Sequence, residues 1–225
     1  MFERVVSFVG EENLLKIKNK TVLVVGLGGV GGYATESLIR SGIEHIILID
    51  YDKIDNSNLN RQIITNINNI GNLKVDEAKK RILNINPSCN VITHNIFLNK
   101  DTINILDKYK IDYIIDACDS VEAKKLLIDY SLDNDIKLIS SMVTANKIDP
   151  RKLDIIDIRK TSYDPLAKIL RKYVVDKKTN KKVMVVSSTE SPIRKDCLSS
   201  LIFVPAVSGL LCANYIIRDI ISNWI

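Results

Sequence analysis

Short unbroken runs of branched apolar residues alternate with stretches whose apolar positions recur three and four apart, and this alternation governs residues 1–150. Residues 21–26 (TVLVVG) carry no polar position after the threonine, as expected of a strand buried on both faces. A glycine-rich loop follows, then helical spacing over 33–41. Residues 45–50 (HIILID) form a second buried strand, 74–86 read as a helix that Pro87 stops, and 90–94 as a short third strand. The pattern continues with a helix over 101–108, a strand over 112–116 (DYIID), a helix over 121–134 and a strand over 137–141. Strands and helices in alternation predict an α/β fold, a mainly parallel sheet with helices on both faces, whose ligands lie beyond the carboxyl ends of the strands.

After Asp149-Pro150 the pattern changes to a strand over 153–158, a basic helix over 165–173, a lysine-rich turn, a strand over 183–187 and a terminal apolar helix. This reads as a small C-terminal α+β elaboration, a lobe added to the nucleotide core. With no internal repeat and no disordered hinge, residues 1–225 are expected to form one domain, a core over 1–150 and a substrate-side addition over 151–225. The uncharged stretch 201–217 is short for a bilayer and holds Pro205, Ser208, Gly209 and Asn214, so a buried helix and no integral membrane span are predicted.

Composition, 46% hydrophobic and 26% charged, is that of an ordinary globular protein. The four cysteines lie far apart without a Cys-x-x-Cys pair, and Arg4, Glu11 and Glu12 interrupt any secretory leader, which predicts a reduced, cytoplasmic protein. With only His45 and His94 beside them, a structural zinc site is not expected.

Gly26-Leu27-Gly28-Gly29-Val30-Gly31 satisfies G-x-G-x-x-G between a predicted strand and a predicted helix, the start of a Rossmann-like nucleotide site. The glycines let a phosphate approach the backbone, the helix N-terminus supplies N–H groups, and Asp50 is placed to accept hydrogen bonds from ribose hydroxyls. So far NAD and ATP fit alike. Downstream, however, come Arg61 in Ser57-Asn58-Leu59-Asn60-Arg61-Gln62, Lys74, and the strand-end pair Asp116 and Asp119. Cations and a metal-binding carboxylate suit an enzyme that neutralises a triphosphate while its α-phosphorus is attacked; hydride transfer needs neither. For Asp116 alone, a loop or helix-cap role stands level with a catalytic one.

These motifs in this order resemble the ThiF/MoeB superfamily of ubiquitin-activating-enzyme-like adenylating proteins over nearly all of residues 1–150. The resemblance implies that ATP is bound by Gly26, Gly28, Gly29 and Gly31, by Asp50 and Asp52, by Ser57, Asn58 and Asn60, and by Asp119 with Ser120. It further implies that Arg61 and Lys74 grip the phosphates, that Asp119 carries magnesium, and that Arg4 reaches into a partner subunit's site in a homodimer. In the second half, residues 142–150 (MVTANKIDP), 157–167 (DIRKTSYDPLA), 195–197 (KDC) and 203–209 (FVPAVSG) are similar to the TcdA branch, the tRNA threonylcarbamoyladenosine dehydratases. That branch implies activation of the threonyl carboxylate of a modified adenosine in tRNA and ring closure with release of AMP, with a sulfur-trafficking protein as a candidate further partner. The alternatives are an adenylyltransferase acting on the C-terminal glycine of a ubiquitin-like sulfur carrier, whose members usually carry the Cys-x-x-Cys pairs this chain lacks, and a non-catalytic nucleotide-binding adaptor, against which Arg61, Lys74 and Asp119 count.

A tRNA substrate calls for a basic surface. Lys168, Arg171 and Lys172 fall at i, i+3 and i+4, followed by Lys177, Lys178, Lys181, Lys182, Arg194 and Lys195, in a chain of net charge +5. A merely solvated lysine-rich face is the competing account. Tyr163 and Tyr173 are candidates for stacking on a base or for ordinary packing, and Cys197 for a reactive or an incidental thiol.

Overall fold

The computed structural model describes residues 1–193, 196–197 and 199–221. Two short helices that the alternation does not anticipate, α1 (Glu3–Val9) and α2 (Glu11–Lys18), precede β1 (Thr21–Val25). Then come α3 (Gly31–Arg40), β2 (His45–Ile49), α4 (Lys74–Ile85), β3 (Asn90–His94), β4 (Tyr113–Asp116), α5 (Val121–Asp133) and β5 (Lys137–Ser141). The last part holds β6 (Leu153–Asp157), α6 (Pro165–Asp176), β7 (Met184–Ser188) and α7 (Phe203–Ile220).

The strands form one sheet in the order β3-β2-β1-β4-β5-β7-β6, parallel throughout except for β6, which runs antiparallel to β7. From β1 the chain winds outward through β2 and β3 to one side and through β4 and β5 to the other. The reversal lies between β1 and β4, where doubly wound sheets open a crevice at their carboxyl ends. Strands β7 and β6 continue the same sheet beyond β5, so the change of pattern after Pro150 marks an extension of the core and an antiparallel edge. The helix expected over 101–108 is instead a 3-10 helix, Ile103–Lys108. Asn99 Oδ1 accepts the N–H groups of Asp101 (2.9 Å) and Thr102 (3.1 Å), and these local bonds compete with a full α-helical start.

Alternation along each strand divides the core. Val22, Val24, Ile46 and Leu48 pack with Leu38, Ile39, Cys212 and Ile216 on the face covered by α3 and α7. Leu23, Val25, Ile47 and Ile49 pack on the other face with Leu127, Ile128, Leu170 and Val174 of α5 and α6. Each such side chain contributes about 1.5–3 kcal/mol by burial. By length and composition α7 could cross a bilayer, but here its Val204, Ser208, Cys212, Ala213 and Ile216 are buried in the core, and Ser208 Oγ meets Ser141 Oγ at 2.7 Å.

Candidate active site

The glycine loop turns between β1 and α3, and two of its glycines are dictated by packing. Gly26 has φ +89°, and a Cβ there would sit 2.7 Å from the Ala117 carbonyl oxygen; one on Gly31 would sit 1.7 Å from the Gly26 oxygen. Asp50, at the end of β2, fastens this turn. Its Oδ2 accepts the Leu27 N–H (2.6 Å) and its Oδ1 the Asp52 N–H (2.8 Å). Burial raises the Asp50 carboxyl above its ordinary range, with Lys74 and the two N–H groups pulling the other way. Helix α3 begins at Val30 without a side-chain cap, and the N–H groups of Gly28, Gly29 and Val30 find no acceptor among the described residues. Open N–H groups at a helix N-terminus suit an anion.

Above the loop lies a cavity of about 870 Å³. Gly26, Gly28 and Gly29 line it, with Asp50 and Asp52, Ser57, Asn58, Asn60 and Arg61, Lys74, Asp119 and Ser120. Of the residues expected at the site, Gly31 lies beneath the turn, and Arg4, exposed on α1, is not part of this cavity's lining.

Lys74 is the first residue of α4, and its side chain is 5% exposed with Nζ 2.7 Å from Asp52 Oδ2. A cation at a helix N-terminus opposes the helix dipole; Asp52, Asp76 and Glu77 offset it. Arg61 is shaped by a small capping box in which Asp55 accepts the Ser57 N–H (2.8 Å) and Asn58 Oδ1 the Asp55 N–H (3.1 Å). Its Nη1 donates to the Ser57 carbonyl (2.7 Å) and to Asn60 Oδ1 (2.9 Å), which leaves the rest of the guanidinium fork to the cavity. Asp119 is exposed and its carboxylate forms no hydrogen bond or ion pair among the described residues, while Ser120 Oγ caps α5 by accepting the Ala123 N–H at 3.3 Å.

Asp116 plays a different part. It is fully buried, with Oδ2 accepting from Ser140 Oγ (2.6 Å) and from Lys124 Nζ (3.1 Å), and Lys124 Nζ donates also to Ser140 Oγ (3.1 Å) and the Ser141 carbonyl (2.9 Å). Burial is the largest single influence and works against the Lys124 charge, but the surrounding groups, Asp116 foremost through its charge and hydrogen bond, together hold the ammonium above its ordinary value. Lys124 was not singled out from the sequence, although its spacing to Leu127 and Ile128 puts it on the buried stripe of α5. The neighbouring Cys118 thiol lines the cavity but is pushed well above its ordinary value by burial and by Asp116, which keeps it protonated. Cys197 is exposed and is not among the lining residues; its Sγ lies 3.5 Å from Ser199 Oγ.

One end of the cavity is apolar, built from Ile96, Phe97, Leu98 and Tyr51, with the Tyr51 and Phe97 rings edge to face at 4.9 Å. The other end is polar, with Thr144, Ala145, Ser199 and Ser200. Asn146 joins these walls: its N–H donates to the Ser199 carbonyl (2.7 Å) and its Oδ1 accepts the Ser199 N–H (2.8 Å). Asn60 Nδ2 donates to the Ser200 carbonyl at 2.9 Å. Among the described residues no group of three or more His, Cys, Asp or Glu could hold a metal. Magnesium, however, is commonly held by one or two carboxylates together with substrate phosphates, and Asp119 offers one.

The basic face is partly spent on internal contacts. Lys177 pairs with Asp129 and Lys181 with Asp135, each at 2.8 Å, and Arg171 turns back onto Thr161. Lys168, Lys172, Lys178 and Lys182 are exposed and their ammonium groups have no partner among the described residues. Arg194 and Lys195 lie outside the described residues.

The sequence profile of the ThiF family matches residues 2–223. The chain belongs to the ThiF family. Within it, the tRNA threonylcarbamoyladenosine dehydratase of Bacillus subtilis (strain 168) is 40% identical, the match covering 99% of this chain and 95% of that protein. The ThiF fold of this chain matches the crystal structure of the Escherichia coli dehydratase TcdA in complex with ATP at a TM-score of 0.93 and 32% identity, over 99% of this chain and 94% of that one. Against the same enzyme in complex with AMP the TM-score is 0.92, over 98% and 93%. The likeness read from the motifs of both halves is therefore borne out at the level of family and fold.

Proposed function

We propose that this protein is an ATP-dependent tRNA threonylcarbamoyladenosine dehydratase. The observation that carries the reading is the meeting of Arg61, Lys74 and Asp119, the last without a partner among the described residues, in one cavity over an open helix N-terminus, in a chain with full-length likeness to such enzymes. A carboxylate is a poor electrophile because it would have to expel oxide. Transfer of AMP from ATP to the threonyl carboxylate cures this: a carboxylate oxygen attacks the α-phosphorus, the bond to the β,γ-phosphates breaks, and pyrophosphate leaves. A nucleophile of the same nucleoside then attacks the acyl carbon, and the carboxylate oxygen departs with AMP. The nucleoside has lost the elements of one water.

The side chains divide the work. The N–H groups of Gly28, Gly29 and Val30 receive the phosphate chain, while Arg61 and Lys74 offset the charge that builds on departing pyrophosphate. Asp52 aims the Lys74 ammonium at 2.7 Å, and Asp50 keeps the glycine loop rigid by holding Leu27. Asp119 would hold magnesium, which supplies further positive charge to the phosphates. Ring closure is intramolecular, so positioning alone suffices and no covalent enzyme intermediate is called for. The raised Cys118 thiol accords with that.

The protein acts on tRNA in the cytoplasm as a homodimer, with Arg4 of each chain completing the other's site. The unpaired cysteines suit a reducing compartment. No atom in the balance comes from sulfur, so a sulfur-trafficking protein would dock on the enzyme without being consumed. Purified protein incubated with ATP, magnesium and either threonylcarbamoyladenosine-containing tRNA or a carrier protein ending in Gly-Gly tests the reading. Pyrophosphate should appear only with the tRNA, and its nucleoside should lose one water; release with the carrier alone would move the assignment to the sulfur-carrier branch.

A further inference from the structure

Between β6 and α6 the chain makes a turn at residues 161–164 that belongs neither to the sheet nor to the cavity lining. Both of its ends are anchored. Thr161 is buried, and the Arg171 guanidinium reaches back from α6 to donate to its carbonyl and, at 3.1 Å, to its hydroxyl. Asp164 is buried too: Oδ1 accepts the Ala167 N–H (2.9 Å), capping α6, and Oδ2 accepts the Val143 N–H (2.9 Å). Val143 adjoins Thr144 of the polar cavity wall, so the turn is tied directly to the rim of the cavity.

At the apex stands Tyr163, with φ +52° and 63% exposure. A bulky side chain is disfavoured in that backbone region, and such conformations persist only where neighbours impose them. Its ring and hydroxyl have no hydrogen-bond, ionic or aromatic partner among the described residues, and most of the side chain faces solvent. Tyr173 differs: its hydroxyl donates to Asp129 at 2.6 Å, and the Lys125 and Lys177 ammonium groups each lie 5.0 Å from its ring centroid. Close to Tyr163 in sequence, the exposed Lys160, Lys168 and Lys172 carry ammonium groups without a partner among the described residues.

We propose that Tyr163 is a stacking platform for a nucleobase of the RNA substrate, with Lys160, Lys168 and Lys172 beside it on the phosphates, and that it sets how the reacting nucleoside enters past Thr144. The proposal rests on the tRNA reading above. Every base has a π-face, so a rigid ring flanked by cations binds RNA without reading its sequence. The braced turn supplies the rigidity in advance, which lowers the ordering cost on binding.

Full-length Tyr163→Gly and Tyr163→Phe variants test it. Glycine relieves the positive φ and removes the ring, so that variant should melt no lower than the parent, bind ATP unchanged, and show a KM for modified tRNA raised about tenfold with little change in kcat. Tyr163→Phe keeps the ring and should behave as the parent. A Tyr163→Trp variant in which the single tryptophan, Trp224, is replaced by phenylalanine should lose fluorescence on tRNA binding. A parental KM in Tyr163→Gly, a Tyr163→Phe as impaired as the glycine variant, or loss of self-association in place of loss of tRNA binding would each overturn the platform while leaving the dehydratase reading intact. Failure of the parent enzyme to convert modified tRNA would remove both.

Discussion

Only two residues lie between Asp116 and Asp119, yet the first is sealed in the core on Lys124 and Ser140 while the second lies open to the cavity without a hydrogen bond or ion pair among the described residues. Substitution should separate them. Asp116→Ala strands a buried ammonium and is expected to cost about 3–5 kcal/mol, read in denaturant unfolding. Asp119→Ala and Lys74→Ala should leave the unfolding midpoint close to the parent, since Asp119 has no hydrogen bond or ion pair among the described residues and the Asp52 side chain left behind is 43% exposed, yet abolish pyrophosphate release. Normal turnover in either cavity variant would contradict the site assignment. Gly26, Asp50, Arg61, Lys74 and Asp119 were legible in the sequence because each follows directly from a strand end or the loop after it, and a doubly wound sheet brings those ends together. Lys124 was hidden because lysine is read as a surface residue, and only the company of Leu127 and Ile128 gives it away. Ser199 and Ser200 were hidden for another reason: Asn146 and Asn60 bring them to the cavity across long stretches of chain, and no local pattern encodes that.

The end of α3 that borders the cavity is packed directly against α7. A Cβ on Gly209 would lie 2.3 Å from the Val30 carbonyl oxygen and 2.9 Å from the Ala34 nitrogen, both backbone atoms that cannot swing aside. Gly209→Val therefore has to part the helices and shift Val30, whose N–H at the start of α3 has no acceptor among the described residues. It should lose about 1–3 kcal/mol of stability and, unlike an ordinary core defect, ATP affinity as well, measured by thermal melting and nucleotide titration; parental affinity would mean that α7 does not set the loop. The elements around this pair were legible because branched runs and helical spacing do not resemble each other over β1 to β5. Helices α1 and α2 were not, since apolar residues fall on both their faces: Val9, Leu14 and Ile17 are buried but Phe8 and Leu15 are exposed. The antiparallel direction of β6 was equally silent, because it is fixed by pairing with β7.

At the scale of the whole molecule, one question is how a single chain offsets the charge of a triphosphate whose innermost phosphorus must be approached by another anion, the substrate carboxylate. Among the described residues two cations, Arg61 and Lys74, line the cavity, and Asp52 already engages Lys74. Arg4, on the exposed side of α1, can contribute only to a site outside its own cavity lining. In a dimer with twofold symmetry the same contact occurs twice, so each Arg4 would complete the other chain's cavity. Mixing makes this measurable. Arg4→Ala and Asp119→Ala homodimers should each be inactive, but a mixed dimer holds one site with both groups intact: the Arg4→Ala chain keeps its own Asp119 and receives Arg4 from its partner. Random exchange of equal amounts should restore about a quarter of the parental pyrophosphate release, since half the dimers are mixed and each has one working site of two. No recovery above the two parents, with exchange verified by differently tagged chains, would place Arg4 outside the site and leave charge compensation to Arg61, Lys74 and the α3 N-terminus.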